Sequence, residues 1–247
     1  MKRENLYIST IAPDALPMAR KYGLGIEIAE FCTAWNMDER FDLVDETLKM
    51  MLNGISNTTL HGPFNELFPC AIDKKARKLA AYRYRQAIDL AQRYGSKKVI
   101  LHGGYNGWLY YPVWYTEQSI EFWKDFLRTK DPGVPIVLEN VLEREPAWIL
   151  DIIKGVDDPR LRMCLDIGHV SAYSNVSVVD WLETCAPYIS HFHVHNNDGT
   201  LDQHNALNDG RIPMKEFFLR AEELCPDATY TLELMKAEDS VRWLLEE

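Results

Sequence analysis

The sequence predicts an α/β protein, a single closed (β/α)8 barrel of the TIM type that takes in residues 1–247. Three observations support this. Eight short apolar runs alternate with longer amphipathic segments, and such alternation builds a parallel sheet flanked by helices. The eight units fit in 247 residues, and single barrels of this kind commonly have about 250. No Ser/Gly-rich stretch and no composition break divides the chain. A doubly wound open sheet is the competing arrangement. No Gly-x-Gly-x-x-Gly follows the first run, which counts against its dinucleotide-binding form.

The strands are expected in residues 6–11, 25–31, 58–63, 98–103, 135–141, 162–170, 189–196 and 229–234. Between them, helical periodicity is clearest over 72–94, 116–128, 146–155, 178–186 and 214–224, and a last helix over 237–247 closes the chain. Helix-to-strand joints fall at Gly23, Gly54, Gly95, Asp131-Pro132-Gly133 and Pro226-Asp227, residue types that end helices and open turns.

The formal net charge is −10, so a nucleic-acid partner would need a local basic face. Lys74, Lys75, Arg77, Lys78, Arg83 and Arg85 are the candidates, but they share an expected helix and read as its solvated side. The five cysteines are scattered, with no Cys-x-x-Cys pair, which points to free thiols in a reducing, cytoplasmic setting. The first ten residues lack the apolar run of a signal peptide, and no stretch of 18 apolar residues predicts a membrane span.

The informative feature lies at the strand ends, where a barrel of this class places its active site. Run three ends in Leu60-His61-Gly62-Pro63, run four in Leu101-His102-Gly103-Gly104, and run five in Leu138-Glu139-Asn140. Run six ends in Leu165-Asp166-Ile167-Gly168-His169, and run eight in Leu232-Glu233-Leu234. Run seven holds His191, His193 and His195 on one face, because strand side chains alternate. His195 would sit highest and is the favoured ligand; His193 would be a donor behind the ligands or a buried core residue, and His191 structural. Asp202 and His204 follow in the next loop. A lone buried His or Asp is usually a satisfied core group, but Glu139, Asp166 and Glu233 would converge on one mouth. Carboxylates so close repel unless protonated or bridged by a cation. Mixed carboxylate and imidazole donors suit zinc, manganese or iron.

These motifs, together with His193 through Asp198 and Asp202-Gln203-His204, resemble the xylose isomerase-like barrel superfamily over essentially the whole chain. That group holds sugar and sugar-phosphate isomerases and epimerases, and the endonuclease IV type of DNA repair enzyme (AP endonuclease family 2). For a one-metal isomerase the resemblance implies Glu139, Asp166, His195 and Glu233 as ligands. For a three-zinc enzyme it implies His61, His102, Glu139, Asp166, His169, His195, Asp202, His204 and Glu233, all of which carry suitable donors. The implied cofactor is therefore one to three divalent ions, zinc or manganese. The chain is shorter than endonuclease IV proteins and has no long basic loop. Asn208-Asp209-Gly210 replaces the family's usual Leu-Gly-Glu-Gly stretch.

The favoured function is a metal-dependent sugar or sugar-phosphate isomerase/epimerase. Glu139 and Glu233 would exchange protons with a metal-chelated hydroxy-ketone, and His169 would hold a substrate oxygen. Tyr105 and Trp108, from the aromatic loop Tyr105 to Tyr115, would either cover the sugar or simply pack this loop onto the barrel, and Arg211 would either meet a phosphate or carboxylate or lie on the surface. The alternative is a multi-zinc phosphodiesterase, for which the acidic balance disfavours a duplex partner. A non-catalytic metal-binding protein is a third reading, against which the full set of proton-transfer residues stands.

Overall fold

Parallel pairing runs unbroken from β1 (Leu6–Ser9) through β2 (Gly25–Ile28), β3 (Thr58–His61), β4 (Val99–His102), β5 (Ile136–Glu139), β6 (Leu161–Asp166), β7 (Ile189–Val194) and β8 (Thr229–Leu232). The sheet then closes, because β1 also pairs with β8, Leu6 opposite Tyr230. The structure is a computed structural model and describes residues 2–246. The chain is thus a single (β/α)8 TIM barrel. Its helices are α1 (Ala15–Tyr22), α2 (Ala34–Met37), α3 (Phe41–Met51), α4 (Lys74–Arg93), α5 (Pro112–Thr129), α6 (Pro146–Val156), α7 (Ile167–Tyr173), α8 (Val178–Cys185), α9 (Met214–Leu224) and α10 (Glu238–Glu246). The expected last helix reaches residue 247, which lies outside the described residues.

Local chemistry sets most boundaries. The α4 helix starts at Asp73, whose carboxylate accepts from the Lys75 N–H at 2.7 Å. Pro112 and Pro146 open α5 and α6 at the first helical turn, where the missing N–H costs nothing. That places the start of α5 four residues before the expected one. The sixth expected strand, 162–170, is corrected: β6 stops at Asp166, whose carboxylate accepts from the His169 N–H at 2.7 Å and caps α7. His169 therefore stands on the first turn of a helix, not on a strand.

The two faces of the barrel sheet differ in chemistry. Outward side chains such as Ile26, Leu60, Leu101, Leu138, Leu165, Phe192 and Leu232 are buried with the helices in one large apolar core. Inward positions usually hold branched apolar residues. Here Ile100, Val137 and Cys164 form a small separate apolar cluster, and the strands otherwise carry Glu27, Thr59, His61, His191, His193 and Thr231, all at most 2% exposed. A polar column this well buried must be internally paired.

Of the basic stretch of α4, the arginines are engaged within the fold, and Lys74, Lys75 and Lys78 are exposed. Arg83 pairs with Asp38 at 2.7 Å, Arg77 with Glu121 at 3.5 Å, and Arg85 donates to the carbonyls of Lys130 and Phe126. No helix among the described residues is long and apolar enough to cross a membrane.

Candidate metal centre

Register places the acidic strand ends level with one another. His102 lies opposite Glu139, and Asp166 opposite His193, the latter after a register shift at Met163/Cys164. Asn140 locks the fifth and sixth strand ends together: its amide donates to the Asp166 carbonyl at 3.0 Å and its side-chain oxygen accepts the Asp166 N–H at 2.9 Å.

At the centre stands His193. Its Nδ1 is 3.3 Å from Glu233 Oε2, 3.4 Å from Glu139 Oε1 and 3.9 Å from Asp166 Oδ2. Ligand atoms of Glu139, Asp166, His193 and Glu233 all lie within 4.8 Å of one another, and all four residues are buried. Donors about 2.0–2.2 Å from a zinc ion stand up to about 4 Å apart, so slight contraction would close this group on one cation. The sequence favoured His195 for this place. His195 Nε2 lies 3.3 Å from Asp166 Oδ1, and His195 also belongs to a neighbouring group with His204 and Glu233, its ring stacked on His204 at 4.1 Å. A further group brings His61 together with Glu139 and His193, and His102 Nε2 is 3.5 Å from Glu139. Asp202 Oδ2 lies 3.2 Å from His169 Nε2 and 3.1 Å from His204 Nε2, and Asp202 Oδ1 lies 3.4 Å from His195. All nine sequence-derived ligand candidates thus line one mouth.

Three of the histidines are aimed by main-chain carbonyls. His61 Nδ1 donates to Gly62, His169 Nδ1 to Asn140 and His204 Nδ1 to Glu233, at 2.9, 2.8 and 2.8 Å. A carbonyl only accepts, so the proton sits on Nδ1 and Nε2 turns inward to the carboxylates. His169 consequently has Nδ1 committed and Nε2 facing Asp202, which suits a ligand better than the substrate-oxygen contact expected of it. His204 holds a left-handed backbone, φ 51°, a strained conformation for a non-glycine residue that clusters at functional sites.

The electrostatics describe a site short of positive charge. Burial alone would raise the Glu139 pKa, but the close approach of His193, His102 and His61 holds it well below the usual range. Glu233 is likewise pulled to about 2 against its burial, mainly by His193. Burial alone would lower His61, His169 and His193, yet Cys32 and Glu139 beside His61, Asp166, Asp202 and Glu139 beside His169, and Cys164, Glu27, Glu139 and Glu233 beside His193 push all three well above 6.5. His204 is raised to about 9. His102, where burial dominates, falls to about 4. Without a cation, protons on imidazoles balance the carboxylates. Buried atoms left without hydrogen bonds include both Glu139 oxygens, Asp166 Oδ2, Asp202 Oδ1, both nitrogens of His193 and of His195, and, behind them, Glu27 Oε1. Oxygen and imidazole acceptors orphaned around one point fit a divalent cation.

The expected substrate residues separate. Tyr105 is buried against Tyr115 and Trp148 but lines a cavity of about 540 Å³ with Trp108, Arg144, Trp148 and Tyr173. Trp108 is 96% exposed at its edge. Tyr173 stacks on His169, ring centres 6.3 Å apart, so the cavity adjoins the mouth. Arg211 does not face it: the guanidinium donates to Ser171 Oγ and the Ser171 carbonyl at 3.1 and 2.9 Å, tying its loop to α7. Glu27 and Arg144 were not singled out from sequence. Glu27's signal was a lone carboxylate inside the apolar run Gly25-Ile26-Glu27-Ile28, overlooked because it is not at the strand's end.

The family model described as a xylose isomerase-like TIM barrel matches residues 18–247. Among curated proteins, the chain is 29% identical over 193 residues to the uncharacterized protein MJ1311 of Methanocaldococcus jannaschii, covering 74% of this chain and 66% of that protein. The chain thus spans a little under two thirds of that relative's length. Among solved structures, the TTHB071 protein from Thermus thermophilus, soaked with ZnCl2, superimposes with a TM-score of 0.79 at 24% identity, covering 98% of this chain and 97% of that one. A D-tagatose 3-epimerase-like protein superimposes with a TM-score of 0.77 at 22% identity, covering 98% and 96%. At that identity the likeness is one of fold. The fold, the family match and the ring of strand-end donors agree: the chain belongs to the xylose isomerase-like TIM barrel family.

Proposed function

We propose that this protein is a divalent-metal-dependent isomerase or epimerase acting on a small sugar or sugar phosphate. The observation that carries this reading is the buried group of Glu139, Asp166, His193 and Glu233, whose ligand atoms lie within 4.8 Å of one another. A zinc or manganese ion held by these four residues would polarise a substrate carbonyl and so acidify the neighbouring C–H. Glu139, from β5, and Glu233, just past β8, approach His193 from different strands. One carboxylate takes the proton from the carbon beside the carbonyl, and the other returns a proton to the opposite face or the adjacent atom. Burial of Glu139 at 1% exposure keeps bulk water from competing.

The cavity beside the mouth supports a sugar-sized ligand. Tyr105, Trp108, Trp148 and Tyr173 offer ring faces to the C–H side of a pyranose or an open-chain ketose. Arg144 lines the same cavity and is suited to a phosphate or carboxylate on that ligand. The similarly folded D-tagatose 3-epimerase-like protein is consistent with this class, and the similarly folded TTHB071 protein, soaked with ZnCl2, with a divalent metal.

A second reading, a multi-metal phosphodiesterase, is favoured by the outer donors: His61 with His102, and His169 with Asp202 and His204. One experiment separates the two. Purified protein is assayed for metal content, then for turnover of a panel of ketoses, ketose phosphates and abasic-site DNA. Interconversion of a ketose or its phosphate, lost with chelator and restored by zinc or manganese, supports the isomerase reading. Metal-dependent cleavage of the DNA with every sugar untouched replaces it with the second.

A further inference from the structure

Unlike His61, His169 and His204, His193 is held by no main-chain carbonyl. What faces its far nitrogen is Glu27 of β2, with Oε1 3.1 Å from His193 Nε2. Both residues are 0% exposed. A carboxylate buried this completely costs several kcal/mol unless paired; Oε2 of Glu27 has its donors, while Oε1 and His193 Nε2 have no hydrogen-bond partner apart from their close approach to each other. Its Oε2 accepts the hydroxyls of Thr231 at 2.8 Å and Thr59 at 3.1 Å, and lies 3.3 Å from His191 Nε2.

The donor order can be read along the barrel axis. Lys98 stands just before β4, and its ammonium donates to Thr229 Oγ1 at 2.7 Å. Glu27 beside His191 Nε2 can only accept, so a neutral His191 keeps its proton on Nε2 and its Nδ1 accepts the Thr229 hydroxyl, 2.6 Å away. His191 then carries its proton on Nε2, which faces Thr231 Oγ1 at 3.0 Å and Glu27. Every donor in the line points up towards Glu27, which has acceptors only. The one proton of a neutral His193 is therefore drawn to Nε2, and the Nδ1 lone pair is left facing Glu139, Asp166 and Glu233. Cys164 also borders His191 and His193, and a thiol sulfur is a weaker acceptor than the Glu27 carboxylate.

We infer that Glu27, anchored from below by Lys98, Thr229 and His191, is the positioning residue that fixes the tautomer and ring angle of His193 for metal binding through Nδ1. This rests on the proposed metal-dependent reading of the Glu139–Asp166–His193–Glu233 group. Carboxylates behind ligating histidines act this way in general, and their removal weakens metal binding about 10–100-fold.

The test measures zinc affinity by chelator competition on the full-length chain: wild type, Asp166→Asn, Glu27→Ala, Glu27→Gln and Lys98→Met. Side-chain 15N shifts of His193 in the zinc-loaded protein are read alongside, assigned by comparison with His193→Gln. We expect Asp166→Asn to lose tight zinc binding. Glu27→Ala should bind about 10–100-fold more weakly, with its His193 nitrogens no longer in the single pattern of metallated Nδ1 and protonated Nε2. In Glu27→Gln the amide oxygen can still accept from Nε2, so affinity and pattern recover in part, and this variant also decides the matter should the alanine form fail to fold. Lys98→Met, one end of the line removed, should weaken binding less than Glu27→Ala. Equal zinc binding by wild type and Asp166→Asn would defeat the metal reading itself. Loss of zinc in Asp166→Asn, with wild-type affinity and an unchanged His193 pattern in both Glu27 variants, would overturn the role of Glu27 alone.

Discussion

The rim of the barrel mouth and its axis aim their histidines by different means. On the rim, His61, His169 and His204 each give Nδ1–H to a main-chain carbonyl and turn Nε2 inward. Those carbonyls come with the backbone of the strand ends, so no single side-chain change removes them. On the axis, His193 faces the side chain of Glu27 and presents the opposite nitrogen. The rim's geometry follows from where the strands stop; the axial geometry depends on one carboxylate reaching across the barrel. The first is robust to substitution, and the second can be dismantled residue by residue.

The largest effect that would sharpen this contrast is Glu233→Gln. The substitution takes a carboxylate from the axial group but leaves the Glu233 carbonyl that anchors His204. Activity should fall by about 10²–10⁴-fold, as for loss of a proton-transfer group, with the fold and the His204 orientation retained. Steady-state turnover and a crystal structure of the variant check this; wild-type turnover would remove Glu233 from the chemistry.

Next comes the dependence of stability on pH. In the metal-free protein His61, His169 and His193 are raised well above 6.5 and His204 to about 9. A raised folded pKa gives stability that is complete below the unfolded value and is lost as pH rises through the folded one. Glu139 and Glu233 are depressed, and their contribution is complete above about 4.3 and fades as pH falls. Metal-free protein should therefore be most stable between about pH 4.5 and 6.5 and lose melting temperature from there towards pH 9 and beyond. Bound zinc replaces those protons, so the loaded protein should keep its stability on the alkaline side. Thermal unfolding across pH with chelator or with zinc measures both curves, and parallel curves would contradict the assignment.

Gly168→Ala acts on the rim alone. A Cβ at Gly168 would run into the His195 ring, and such overpacking costs about 1–3 kcal/mol. The midpoint of denaturant unfolding should fall accordingly, and any metal held through His195 should be lost before the axial one. Metal stoichiometry per chain reports that order. The smallest effect is expected for Arg211→Ala, which removes the tie to Ser171. Two hydrogen bonds at an exposed side chain contribute about 1 kcal/mol, and KM should be equal for phosphorylated and free sugars relative to wild type. A KM rise confined to the phosphorylated substrate would return Arg211 to the anion-binding role the sequence suggested.

Much of the fold was legible because period-2 apolar runs and Gly or Pro joints are local signals. The ligand candidates were legible because every histidine falls on or just after a strand. The aromatic loop was less so: Tyr115 turns inward and donates to buried Glu143 at 2.6 Å, while Tyr111 is 85% exposed. Tyrosines in the same stretch of sequence take opposite environments, and only the packing of α5 on the barrel separates them. Glu27 escaped because a single carboxylate in an apolar run carries no spacing; its meaning comes from Thr59, Thr231 and the histidines of β7 on other strands.

What the sequence determined by itself was the closed barrel, its family, and a mouth ringed by His, Asp and Glu. Those follow from periodicity and from motifs within a few residues of one another. Which donors meet was left to the tertiary structure. Counting along the seventh strand ranks His195 highest, yet level across a barrel is set by strand stagger, and the shift at Met163/Cys164 brings Asp166 opposite His193. Stagger belongs to the pairing of distant segments, so no local pattern encodes it. The same pairing places Glu27 of the second strand behind the histidine of the seventh.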